Sequence, residues 1–63
     1  MDTPTERKHW RTVLNEQGRT LRWLAIQTGR PPRSIYAYSR GQMRPTQEWL
    51  AAASRVLGQD VAA

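Results

Sequence analysis

Each of the four glycines in this sequence, Gly18, Gly29, Gly41 and Gly58, directly follows a short run whose apolar residues recur at helical spacing. Glycine most readily takes the left-handed conformation that ends a helix, so the chain is punctuated into four short helices. Helix 1 is expected from about Pro4 to Gln17, with Thr3 as N-cap, Pro4 at the first position and Glu6 completing a capping box. Trp10, Val13 and Leu14 form its buried stripe, leaving Lys8, Arg11 and Glu16 to water. Helix 2 is expected over 20–28 with Thr20 as cap and Leu21, Leu24, Ala25 and Thr28 on one side. Arg30-Pro31-Pro32 must be a connection, because a residue before proline is pushed out of the α region, while Pro32 can open helix 3 over 32–40. Thr46 caps helix 4 over 46–57, with Leu50, Ala53, Val56 and Leu57 in register, and Gln59 to Ala63 is read as a tail or one frayed turn. No stretch alternates as a strand does, so the expected fold is all-α, four short helices on one core.

A single domain is the ceiling for 63 residues, and a chain of that size supports one modest core and no deep catalytic cleft. With no cysteine and one histidine, disulfides, thiolate metal sites and a His-rich zinc site are excluded and stability must come from packing. No nucleophile with its base, metal set or phosphate loop is present, so no enzyme, cofactor or small-molecule substrate is expected. The longest apolar run, Trp49 to Ala53, is too short for a membrane span, and Asp2 and Glu6 spoil a signal-peptide reading. A cytoplasmic protein is expected.

Charge points to the partner. Ten Lys+Arg against five Asp+Glu leave a net charge of +5, and the sequence pI is near 11.2. Nine of the ten cations are Arg, whose planar fork suits phosphate and guanine. Six of them, Arg19, Arg22, Arg30, Arg33, Arg40 and Arg44, follow one another without an intervening acid, whereas Asp2, Glu6, Glu16, Glu48 and Asp60 all lie outside that span. A basic segment of this kind is the electrostatic footprint of nucleic-acid binding.

Helix 2, a turn containing Gly29, and helix 3 make the pattern of a helix-turn-helix, in which the second helix reads the major groove. At about 100° per residue, Ile35, Tyr38 and Ser39 fall on the inner side of helix 3, leaving Arg33, Tyr36, Ala37 and Arg40 on one outward arc. Over roughly Trp10 to Gly58 the chain resembles the Cro and repressor-like (XRE) helix-turn-helix family of phage and bacterial transcription regulators. The matching features are Gly18, the Leu24-Ala25 pair, Gly29, Ile35, Gly41 followed by a basic residue and Pro45, and the closing Val56-Leu57-Gly58. Leu21 and Pro31 depart from that pattern, standing where a phosphate-contacting Gln and a capping Ser or Thr are usual.

The resemblance implies a compact four- to five-helix lambda-repressor-like domain that binds double-stranded DNA, commonly as a homodimer on a palindromic operator, and regulates transcription as a repressor. By position it implies that Pro32, Arg33, Ser34 and Ala37 read bases and that Arg40 and Arg44 approach phosphates. Tyr36 on the outer arc has two readings, a DNA contact or a solvated tyrosine, and Arg19, Arg22 and Arg30 join the phosphate set. Trp23 either packs on helix 1 or offers its ring to sugar and phosphate, and Trp49 is either core or an interface anchor. Helix 4 carries more apolar residues than one stripe needs, so Trp49, Val56 and Val61 form the expected dimer interface. Two other classes share these features: a DNA-bending accessory factor of the excisionase kind, which would usually add a β wing, and an antitoxin-like protein-interaction module.

Overall fold

Threonine hydroxyls start two of the helices. Thr20 Oγ1 accepts the Trp23 backbone N–H at 3.0 Å and Thr46 Oγ1 accepts that of Trp49 at 3.1 Å, each satisfying an amide that a helix start leaves without a partner. The computed structural model describes residues 7–63. Among them the elements run β1 (Lys8–His9), α1 (Trp10–Glu16), α2 (Leu21–Thr28), α3 (Pro32–Arg40), α4 (Gln47–Leu57) and β2 (Val61–Ala62), so the molecule is mostly helical.

One core joins all of them. Trp10, Val13 and Leu14 of α1, Leu24 and Ala25 of α2, Ile35 and Tyr38 of α3, and Trp49, Leu50, Ala53 and Leu57 of α4 are buried together with Val61. Trp49 sits at the centre of an aromatic cluster, edge-on to Trp10 with ring centroids 5.2 Å apart and tilted against Tyr38 at 5.0 Å. Such geometries place the positive ring edge on the negative face of the neighbour. The indole is also satisfied: Trp49 Nε1 donates to Thr28 Oγ1 at 3.0 Å, and that hydroxyl donates to the Leu24 carbonyl at 2.8 Å. Four helices therefore converge on one side chain. Trp49 is core, and its expected place in a dimer interface is corrected.

The chain ends depart from the all-α expectation. Lys8–His9 pairs in parallel with Val61–Ala62, Lys8 opposite Val61 and His9 opposite Ala62. An extended His9 (φ −59°, ψ 142°) precedes α1, and its Nδ1 accepts the Arg11 backbone N–H at 3.0 Å, which starts the helix at Trp10. Helix 1 thus does not run through Lys8 and His9, and the expected cap at Thr3, Pro4 and Glu6 lies outside the described residues. The segment after Gly58 is likewise no frayed tail. Ser54 Oγ accepts the Val61 N–H at 3.2 Å and Val61 is 1% exposed, which removes it from the expected dimer interface as well. Val56 is half-buried against the core. At the same end of α4, Gln17 Nε2 donates to the Leu57 carbonyl at 2.7 Å and ties the end of α1 to it.

Candidate nucleic-acid interface

The joint between α2 and α3 is three residues long, and its shape follows from their types. Gly29 turns with φ +74°, a conformation a side chain rarely adopts, and the following Arg30 N–H returns to the Ala25 carbonyl at 3.0 Å to close the end of α2. Pro31 is then extended at φ −62°, ψ 143°, and Pro32 enters α3 at a position where no amide hydrogen is needed. No side chain caps α3, in keeping with proline at the cap position, but the Ser34 N–H reaches the Pro31 carbonyl at 3.0 Å. Two prolines and a closed helix end make this a stiff joint.

Ile35 and Tyr38 are the buried residues of α3. Their burial turns the opposite arc outward, and Arg33, Tyr36 and Arg40 are exposed on it, with Ala37 half-buried between them. The spacing of Arg33 and Arg40, seven residues or about two turns, sets the two guanidinium stems roughly 10 Å apart along one face. Pro32 is exposed and Ser34 half-buried at the margins of that arc.

The remaining cations flank α3 in the chain. Arg22 on α2 is exposed and Arg30 in the joint is half-buried. Beyond α3, Gly41 turns with φ +78°, and the N–H groups of Gln42 and Met43 both reach the Ala37 carbonyl, at 3.0 and 3.3 Å. This folds the loop back on the helix end, and exposed Arg44 follows from it. Among the described residues the ion pair present is Lys8 with Glu16 at 2.9 Å, before the span of 19–44 in the chain. None of the six arginines between positions 19 and 44 has its charge neutralised by a described carboxylate.

Two features were missed in the sequence. Arg19, just before α2, lies over the Trp23 ring, its guanidinium carbon 4.5 Å from the centroid. The cation and indole are four residues apart, a signal that was legible. Trp23 itself is half-buried against the core, and its ring carries the Arg19 cation. Ile26 and Met43 also stay exposed, at 65% and 50%, as does Tyr36 at 40%, which the sequence itself places on the outward arc.

Among the described residues no three His, Cys, Asp or Glu side chains gather as a metal site, and no helix is long and apolar enough to cross a membrane. No protein-family model matches the chain, and neither a curated protein nor a solved structure does.

Proposed function

We propose that this protein is a sequence-specific double-stranded DNA-binding regulator of transcription, a Cro-like repressor that acts as a homodimer on a palindromic operator. In this reading α2, the Gly29 joint and α3 are a helix-turn-helix within a lambda-repressor-like domain, and α3 enters the major groove. The observation that carries it is the acid-free run of arginines, Arg19, Arg22, Arg30, Arg33, Arg40 and Arg44, on α2, α3 and the loops that flank them, with no described carboxylate paired to them. A solvated surface on a small domain normally mixes its charge signs, and a segregated one costs self-repulsion that an anionic partner relieves.

The division of labour follows from position. Arg33 in the first turn of α3 takes the O6 and N7 of a guanine as a fork, a contact that discriminates by about 1 to 3 kcal/mol. Pro32 and Ala37 offer apolar contact to a thymine methyl, Ser34 a short hydroxyl, and Tyr36 a ring at the groove wall. Arg19, Arg22, Arg30, Arg40 and Arg44 take phosphates, which position the domain without reading sequence. One α3 spans too few base pairs to be selective, which is the reason for a second copy about one helical turn away.

Selection from a random duplex pool tests this. The expected winner is a two-fold symmetric site, bound with a salt slope of about −4.5 per protomer from five phosphate contacts at 0.9 each. Arg33→Ala should lose the preference at one guanine in each half-site. A pool that yields no enriched sequence, or binding insensitive to salt, overturns the reading.

A further inference from the structure

We propose that Trp23 is a positioning residue: its indole holds the Arg19 guanidinium in place for a backbone phosphate of duplex DNA. The role rests on the DNA-binding reading above and adds to it a residue that is neither in the outward arc of α3 nor charged.

The holding begins in the backbone. The Arg19 N–H donates to the Leu14 carbonyl at 3.1 Å, which anchors the residue to the end of α1. One residue later Thr20 caps α2 through the Trp23 N–H, so the first turn that carries the indole is itself fixed. The inner side of the Trp23 ring packs against the core, and the Arg19 guanidinium lies over the ring at 4.5 Å. Backbone, cap, ring and cation form one chain of constraints running from α1 into α2.

What distinguishes this from an ion pair is which part of the guanidinium it uses. A carboxylate would bind the N–H edge and consume the donors that a phosphate needs. A ring binds the flat face and leaves the five N–H donors around the rim free. An arginine stacked in this way has also given up much of its rotamer freedom before the phosphate arrives, so binding loses less entropy. Among the described residues Arg33 and Arg40 stand exposed on α3 with no aromatic platform beneath them, and Arg19 is the cation that has one.

The test measures wild type, Trp23→Leu, Arg19→Ala and the double variant of the full chain against a random-sequence duplex, with thermal unfolding recorded for each. Leu keeps an apolar side chain toward the core and removes the π face. Trp23→Leu should weaken binding about two- to five-fold, the worth of an exposed cation–π contact. It should leave the salt slope unchanged, because Arg19 still reaches the phosphate, whereas Arg19→Ala lowers the slope by about 0.9. In the Arg19→Ala background Trp23→Leu should cost nothing further, and Trp23→Phe should bind within about two-fold of wild type. If Trp23→Leu does not fold, the same cycle is run with Trp23→Phe and Trp23→Met. Full multiplication of the two single effects, or no loss in Trp23→Leu, overturns the positioning role while the DNA reading stands. Wild type that binds no duplex at low salt overturns both.

Discussion

Two of the three tryptophans are closed into the core and the third is half open, and the division marks two regions of the molecule. Trp10 and Trp49, at 0% and 1% exposure, belong to the region formed by α1, α4 and the two paired chain ends, where the described acids Glu16, Glu48 and Asp60 and the Lys8–Glu16 ion pair also lie. Trp23 belongs to the segment from Arg19 to Arg44 that contains α2 and α3 and holds six arginines and no acid, and there its ring supports a cation. The same residue type serves cohesion in one region and display in the other. A small domain that crowds like charges on one side depends on the other for its stability, so the two regions should separate cleanly under mutation. Changes in the first should move the unfolding transition, and changes in the second should move binding.

The largest expected effect tests the first half of that separation. Trp49→Ala removes an indole that touches Trp10 and Tyr38 and a hydrogen bond to Thr28. Truncating a buried aromatic costs about 3 to 5 kcal/mol. The whole stability of a domain this size is about 3 to 9 kcal/mol at 0.05 to 0.15 kcal/mol per residue. The variant should be unfolded or nearly so at room temperature by circular dichroism, and a cooperative melt close to that of wild type would show that the cluster is not what holds the helices together.

A smaller loss should come from the strand pair. Val61 packs into the core with its N–H on Ser54, and Val61→Ala deletes two buried methyl groups at about 0.8 kcal/mol each. Urea unfolding should show a loss of about 1 to 2 kcal/mol with duplex affinity at low salt unchanged. A fall in affinity with no change in the unfolding midpoint would place this end of the chain in the binding surface and break the comparison.

How legible each region was follows the range of the interactions that build it. Caps at Thr20 and Thr46 and stops at Gly29 and Gly41 are decided within four residues, and they fell where the sequence put them. The exposed arc of α3 was likewise readable, because burial of Ile35 and Tyr38 leaves Arg33, Tyr36 and Arg40 on the far side. The pairing of Lys8 with Val61 spans nearly the entire chain between two strands of two residues each, too short for alternation to register. Nor could local reading decide Trp49, whose burial depends on Trp10, Thr28 and Tyr38 from three other helices. Equally illegible is His9, an exposed side chain whose ring nitrogen starts α1.

The smallest expected effect on stability is the sharpest test of the second region. Arg44 is exposed in the loop between α3 and α4, and the loop is held by the backbone amides of Gln42 and Met43 on Ala37 and by the turn at Gly41 rather than by the arginine side chain. Arg44→Ala should therefore shift unfolding by no more than about 0.5 kcal/mol, the range of an ordinary surface substitution. Its effect on DNA should have the signature of a lost phosphate contact: weaker binding to every duplex by about the same factor, and a salt slope lower by about 1. Under the proposed reading Arg33→Ala should have the opposite signature, a change in which sequence is preferred, so the pair would distinguish positioning from reading. If Arg44→Ala instead lowered stability by more than about 1 kcal/mol, the arginine stem would be bracing the loop against the core through its methylenes, and the charged face would no longer be separable from the packing beneath it.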